Sequence, residues 1–319
     1  MSAPLSEKKS TRLKRLFSSP ETVLMPFGAL PVHAQMAERA GFPAFELSGG
    51  LAAWWSGVPD VGYLTMTEIV QHAKMVARAV DIPVYCDADT GYGAPVNVKR
   101  TTEEFIQAGV AGIHIEDQRE PKKAGGEVGI ELVSDAEAVG RLRAAIDARD
   151  RLDPDFVIVA RTDGYGAAGG SLDEAIRRAR LYKEEAGVDV VFFEGLLSWD
   201  DVRIALSEVP GPAYAIASGM KAGPAPSVSE LTRMGQTINI VNFVSPGIQE
   251  VWNLLLEVRE SGELAPIDEY MRRVKQYEGV HFTGRGDGFT RPTPHEVREL
   301  EELYLPPEMQ RDYLNTLNA

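Results

Sequence analysis

The chain of 319 residues carries one cysteine, Cys86. It has no partner for an intramolecular disulfide and no companions for a thiolate metal cluster, so a reducing cytosol is its natural setting. Positive charge is also short: 33 Lys and Arg stand against 47 Asp and Glu, for a formal charge of -14. That balance argues against a nucleic-acid-binding surface, which needs clustered basic residues. No apolar run approaches the roughly 20 residues needed to cross a bilayer. His33, His72 and His114 lack a second histidine at ligand spacing and read as packing or surface residues. With 44% hydrophobic and 25% charged residues, what remains is a soluble globular protein long enough for a large core. The basic opening, Ser6 to Phe17, reads as an amphipathic first helix on Leu13, Leu16 and Phe17 and not as a transit peptide.

What the sequence does have is a recurring grammar: apolar strand-like runs that end in polar residues. Ala44 to Leu47 leads to Ser48-Gly49-Gly50, and Ile82 to Cys86 leads to Asp87-Ala88-Asp89-Thr90-Gly91. Ala111 to Ile115 leads to Glu116-Asp117-Gln118, Phe156 to Ala160 to Arg161-Thr162-Asp163, and Val188 to Phe193 to Glu194-Gly195. Pro212 to Ala217 and Thr237 to Phe243 are weaker strands. Helix-period segments lie between them, at 32–40, 67–80, 98–108, 134–148, 171–186 and 199–206. Thr67 before Glu68 and the Ser171 to Glu174 box mark starts, and Gly41, Gly109 and Gly187 suit left-handed helix ends. Alternating strands and helices predict parallel βα units. A (β/α)8 TIM-type barrel over residues 1–260 is favoured over a doubly wound sheet, because functional-looking residues follow many strands and not one switch point. Residues 261–319 form a helical extension, broken at Thr283 to Gly288, that packs on the barrel or on a partner subunit.

Charge placed where a buried strand leaves the core needs compensation, since an unpaired buried carboxylate costs several kcal/mol or neutralises. A hard cation such as Mg²⁺ is the simplest compensator for Asp87 and Asp89, although Asp before Gly also caps turns. If the strand stays extended through Ala88, their side chains take opposite sides. Glu116, Asp117 and Glu194 extend the acidic rim. Arg161 suits a bidentate grip on a substrate carboxylate, or a structural salt bridge to Asp163 or Glu194. Ser48-Gly49-Gly50 offers a hydroxyl and open backbone amides to an anion. Lys122-Lys123-Ala124-Gly125-Gly126 reads as a basic hinged loop that closes over an anionic substrate, or as a plain surface loop. Trp54 and Trp55 are placed over a pocket or an interface.

Together, S-G-G at 48–50, D-A-D-T-G-Y-G at 87–93, I-E-D-Q at 115–118, K-K-x-G at 122–125 and A-R-T-D at 160–163 resemble the isocitrate lyase and phosphoenolpyruvate mutase superfamily. Their order is most similar to the 2-methylisocitrate and dimethylmalate lyases, over about Leu16 to Leu256. The resemblance implies a (β/α)8 barrel with Mg²⁺, or Mn²⁺, at the C-terminal rim, in a homotetramer that exchanges a C-terminal helix. It implies Asp89 as main metal ligand, with Asp87 and Glu116 in the metal-water shell. It implies Ser48, Gly49, Gly50 and Arg161 on a substrate carboxylate, and Asp60 and Glu194 completing the pocket. Two stretches depart from the pattern. The loop reads K-K-A-G-G where the lyases resemble K-[KR]-C-G-H, so Ala124 and Gly126 replace the acid thought to protonate the product. Ala215-Ile216-Ala217-Ser218-Gly219 replaces an Asn-x-Thr-Glu pattern.

The expected activity is Mg²⁺-dependent carbon–carbon cleavage of a small 2-hydroxy or 2-oxo carboxylic acid through a stabilised enolate. Arg161, Lys122 and Glu116 are the catalytic candidates. Lys122, water or the substrate itself is left to deliver the proton. A 2-oxo acid decarboxylase, a phosphonopyruvate mutase or hydrolase, and an inactive barrel used for binding are the competing readings.

Overall fold

The computed structural model describes residues 7–217, 223–274 and 292–313. Eight parallel strands form one sheet in the order β7-β6-β5-β4-β3-β2-β1-β8. They are β1 (Val23–Gly28), β2 (Phe45–Leu47), β3 (Val84–Asp87), β4 (Gly112–Glu116), β5 (Val157–Thr162), β6 (Val190–Leu196), β7 (Ala213–Ala217) and β8 (Ile238–Asn242). The ends of that order, β7 and β8, meet through a bridge between Ala213 and Gln236, so the sheet has curled round on itself. This nearly closed ring is the barrel expected, and a doubly wound sheet is ruled out.

The connecting helices are α1 (Lys9–Phe17), α2 (Pro31–Arg39), α3 (Gly49–Trp55), α4 (Met66–Arg78), α5 (Pro95–Ala108), α6 (Asp135–Leu152), α7 (Leu172–Leu181), α8 (Trp199–Glu208) and α9 (Val228–Met234). Helix α4 starts earlier than Thr67, because Thr65 and Glu68 close a reciprocal capping box. Gly41, Gly109 and Gly187 take the left-handed conformation expected of them. Strand β1 escapes sequence reading because Pro26 sits inside it, and proline is rare in strands flanked on both sides.

Two apolar layers hold the barrel. Outside, Phe45, Leu47, Ile113, Ile158 and Phe193 pack with the helices. Inside, Met25, Tyr85, Val157, Val159, Phe192 and Tyr214 fill the lumen, and Leu13 and Phe17 of α1 join them. The α1 amphipathy foreseen from Leu13 and Phe17 thus plugs the barrel: Phe17 stacks edge-on against Tyr85 at 5.5 Å. Each such side chain contributes about 1.5–3 kcal/mol by burial. With its lower half sealed by apolar side chains, the barrel leaves polar chemistry to the upper ends of the strands.

The seam between β7 and β8 is a single parallel bridge from Ala213 to Gln236. The Gln236 side chain completes it by acting as a substitute peptide group. Its Oε1 accepts from the Ala215 amide at 3.1 Å, and its Nε2 donates to the Ala215 carbonyl at 2.7 Å.

The chain divides into two compact units, Met1–Val244 and Ser245–Ala319. The second contains most of α10 (Val244–Ser261), followed by α11 (Ala265–Val274) and α12 (Pro294–Tyr304). Thr283 to Gly288 lies outside the described residues.

Replacing Gln236 by Leu keeps volume but leaves both Ala215 backbone groups unpaired, so unfolding free energy should fall by about 2–4 kcal/mol. Urea denaturation measures this, and a loss below about 0.5 kcal/mol would show that the seam does not need the amide.

Candidate active site

The upper end of β3 sets the geometry. Asp87 closes the strand, and the chain then turns so sharply that Asp89 takes φ 46° and Tyr92 φ 60°. The turn is held by the Asp89 amide, which donates to Asp87 Oδ1 at 2.9 Å. The chain leaves extended geometry at Asp89, and in a strand residues two apart share a face in any case, so the expectation of opposite sides is corrected: both carboxylates lie near Lys122.

Asp87 is buried among donors. Its Oδ2 accepts from the Gly49 amide at 3.2 Å, and His114 Nε2 lies 3.1 Å from Oδ1. Gly49 is needed here, since a Cβ would fall 2.7 Å from Asp87 Oδ2. His114 Nδ1 is 3.0 Å from the Tyr85 hydroxyl, which is 3.0 Å from that of Tyr214. Burial pushes the Asp87 carboxyl up, but His114, Lys122 and Arg161 together hold it well below the usual carboxylate range. His114 is thus a packing residue that also orients an ionised carboxylate. The absence of a second histidine hid that role. His33 packs as expected, its Nδ1 accepting from the Ala29 amide.

Asp89 has a different partner. Lys122 Nζ is 2.9 Å from Asp89 Oδ1 and also pairs with Asp60 Oδ1. Burial pushes Asp89 up to about 6; Lys122 opposes this and the Asp87 charge adds to it. Lys122 is only 1% exposed. Burial alone would lower its pKa, but Glu116, Asp89, Asp87 and Asp60 overcome that and fix the ammonium form. Its backbone is anchored as well, its amide donating to Glu120 Oε2 at 3.2 Å while Glu120 Oε1 accepts from Thr90. The sequence placed Lys122 on a loose basic loop; the structure makes it an internal clamp. Four carboxylates drawing on one ammonium explain the difference.

Arg161 is held along one edge by Asp163, with Nε at 3.0 Å and Nη2 at 2.9 Å. Its Nη1 lies 3.1 Å from Glu116 Oε2 and 3.8 Å from Glu194 Oε2. The salt bridges weighed for it are both present. Neither oxygen of Glu116 makes a hydrogen bond among the described residues. Burial raises the Glu116 and Glu194 carboxyls, and Arg161 opposes that at each. Asp117, expected on the same rim, is elsewhere. It accepts from Thr162 Oγ1, the Asp163 amide and the Tyr182 hydroxyl, which makes it a strut between strand and helix.

Ser48 caps α3, its Oγ accepting from the Leu51 amide. Gly50 lies against Asp60, whose Oδ2 would be 3.0 Å from any Cβ. The loop after Lys122 approaches β6: a Cβ on Gly125 would fall 2.5 Å from Glu194 Cδ. Trp54 and Trp55 are 61% and 65% exposed. In the other divergent stretch, Ala215 and Ile216 are described, while Ser218 and Gly219 lie outside the described residues. Sequence reading passed over Glu46, whose signal was a lone charge inside the apolar strand β2. It is buried, its Oε2 has no hydrogen-bond partner among the described residues, and burial, with Asp87 and Glu194, pushes it up to about 7 against His114 and Arg161.

The mouth of the barrel therefore holds six buried carboxylates, of Glu46, Asp87, Asp89, Glu116, Asp163 and Glu194, against the buried cations Lys122 and Arg161 and the imidazole of His114. Among the described residues no three candidate ligands enclose a point where a metal would sit ready-made. The donor chemistry nevertheless fits a hard divalent cation, which takes one or two carboxylates and keeps water or substrate in its other positions. Surplus negative charge and the unbonded Glu116 oxygens are what such a cation would satisfy.

The family model described as phosphoenolpyruvate phosphomutase matches residues 13–263. The 2,3-dimethylmalate lyase of Eubacterium barkeri is 41% identical over 254 residues, covering 77% of this chain and 86% of that one. The 2-methylisocitrate lyase of Aeropyrum pernix is 35% identical over 279 residues, covering 86% and 88%. The crystal structure of a phosphonopyruvate hydrolase complex with oxalate and Mg²⁺ superposes with a TM-score of 0.79 at 25% identity, covering 94% of this chain and 100% of that one.

Asp89 and Glu46 bind protons more tightly folded than unfolded, so the stability they allow is lost as pH rises through about 6 and about 7. Asp87, shifted the other way, contributes a constant amount above the usual carboxylate range. In EDTA, unfolding free energy should fall by about 4 kcal/mol between about pH 5 and about pH 8. Urea melts at the two values decide it, and a flat or rising profile would contradict the charge assignment.

Proposed function

The chain belongs to the phosphoenolpyruvate mutase and isocitrate lyase superfamily, and on that premise we propose that it is a carbon–carbon bond lyase acting on a small 2-hydroxy or 2-oxo di- or tricarboxylic acid. The observation that carries this reading is the surplus of buried carboxylates facing Lys122 and Arg161. Among relatives named for their substrates, 2,3-dimethylmalate and 2-methylisocitrate define the substrate class.

Asp89, with Asp87 and Glu116, would hold Mg²⁺ or Mn²⁺, which as a Lewis acid draws electrons from a substrate carboxylate and its adjacent oxygen. The chain's own groups do the rest. His114 keeps Asp87 ionised. Lys122 exchanges its place on Asp89 for contact with the anionic substrate, and Arg161 presents Nη1 to a carboxylate while Asp163 fixes the guanidinium plane. Ser48, Gly49 and Gly50 line the opposite side, with Asp60 and Glu194 completing the pocket. Preorganised positive charge at Arg161 and Lys122 then stabilises the enolate oxygen that forms as the bond breaks.

Phosphonopyruvate chemistry is the second reading. It is favoured by the likeness to the phosphonopyruvate hydrolase and by the absence of an acid from Ala124-Gly125-Gly126. A binding protein without activity is disfavoured, because the costly buried charges serve no fold purpose that apolar residues would not serve as well.

A homotetramer exchanging a C-terminal helix fits α10, where Ile248, Val251, Trp252 and Leu255 share one face and are each 52–60% exposed. The extension from residue 261 would be the exchanged part. A cytoplasmic setting fits the single buried cysteine. No described helix is long and apolar enough to cross a membrane.

Asp89→Ala should lower kcat/KM by about a thousandfold or more and abolish Mg²⁺-dependent oxalate binding in calorimetry. Unchanged oxalate affinity would remove Asp89 from the metal, and ³¹P-detected turnover of phosphonopyruvate would select the second reading.

A further inference from the structure

Glu46 has no part in the scheme above. On β2 its neighbours Phe45 and Leu47 point outward into the helix-facing core, so alternation turns Glu46 into the barrel. It opposes Tyr85 in register and stands two residues before Ser48. The groups that face it come from five strands: Tyr85 and Asp87 of β3, His114 of β4, Arg161 of β5, Glu194 of β6 and Tyr214 of β7. It is 6% exposed, and Oε2 has no hydrogen-bond partner among the described residues. Leaving such an atom unbonded costs about 1–3 kcal/mol, which a hydroxyl brought in by the substrate would offset.

Other groups of the mouth are poorly placed to move a proton. Lys122 stands between Asp60 and Asp89, and the scheme above uses it as fixed positive charge on the anionic substrate. The Tyr85 and Tyr214 hydroxyls bond each other, and burial pushes both up. Cys86 donates to the Asp87 carbonyl and is likewise pushed up by burial. Ala124 and Gly126 carry no acid. Glu116 and Glu194 face Arg161.

We propose that Glu46 is the catalytic proton carrier of the site, and that its substrate is accordingly a 2-hydroxy acid. Glu46 takes the hydroxyl proton, the O–H electron pair becomes the second bond of a new carbonyl, and the carbon–carbon bond breaks with its pair left on the departing carbon. That carbanion, delocalised into its own carboxylate as an enolate, recovers the proton from Glu46. The hydroxyl oxygen and the departing carbon are two bonds apart, so one carboxyl reaches both. Protons and electrons balance with no co-reactant. A carboxyl that exchanges its proton near neutral pH suits both halves.

The inference rests on the lyase reading, and one experiment separates their failures. Wild type, Glu46→Gln and Glu46→Asp are assayed with Mg²⁺ on 2,3-dimethylmalate, 2-methylisocitrate and further 2-hydroxy acids. Melting temperature and oxalate binding are measured alongside. The expected result is wild-type turnover of at least one substrate, with kcat/KM rising through about pH 7. Glu46→Gln should lose about a hundredfold or more in kcat with KM within about threefold, and lose that pH limb. It should also fail to exchange the product acid's α-hydrogen in D₂O, while melting temperature does not fall, oxalate affinity stays at the wild-type value and Glu46→Asp recovers part of kcat. Glu46→Gln turning over within about threefold of wild type overturns the proposal alone, as does parallel loss of oxalate binding and turnover, which marks a positioning role. Wild type inactive on every 2-hydroxy acid overturns the substrate assignment and, if 2-oxo acids also fail, the lyase reading.

Discussion

Lys122 reaching between Asp60 and Asp89 is the contact on which the arrangement of the barrel mouth depends. It ties the segment after β2, the turn after β3 and the loop after β4 into one cluster. Asp89 would otherwise be a carboxylate sealed from water with only like charges close by, which costs several kcal/mol. A single ammonium cannot neutralise every acid around it, so Asp87 leans on His114 while Glu116 and Glu194 share Arg161. Protons remain on part of the set near neutral pH, which is why Asp89 and Glu46 titrate late. A site balanced this way is poised to receive more positive charge, and a divalent cation brings it in the smallest volume.

The barrel makes such a concentration of charge tolerable by dividing labour along its axis. Leu13 and Phe17 close the lower end, and Tyr85, Phe192 and Tyr214 fill the middle, with the Phe192 and Tyr214 rings stacked at 4.4 Å. Charged side chains gather against and above that apolar plug, Glu46 abreast of Tyr85 and Arg161 abreast of Phe192. Outside the ring, Asp117 bonds Thr162, Tyr182 and the Asp163 backbone, and Asp163 in turn sets the Arg161 plane. The strut therefore transmits strand and helix rigidity to the one guanidinium placed among the carboxylates of the mouth.

Much of this was legible in the sequence. Strand runs ending in charge located the rim, and Asp87, Asp89, Glu116, Arg161 and Glu194 do converge there. What escaped reading depended on pairings distant in the chain. Pro26 concealed β1, because local propensity speaks against a strand that β2 and β8 impose from both sides. Lys122 looked mobile because glycines follow it, yet Asp60, 62 residues earlier, decides its position. His114 seemed idle without a histidine partner, since a carboxylate-orienting role leaves no spacing pattern. Asp117 looked equivalent to Glu116, but strand alternation sends adjacent residues to opposite faces.

Crystals grown with Mn²⁺ and oxalate test the central claim most directly, through the anomalous signal of the cation. The account predicts a peak bonded to Asp89, with Asp87 and Glu116 about it and Lys122 Nζ withdrawn from Asp89 Oδ1. A peak elsewhere, or none while Lys122 keeps its hold on Asp89, would contradict it.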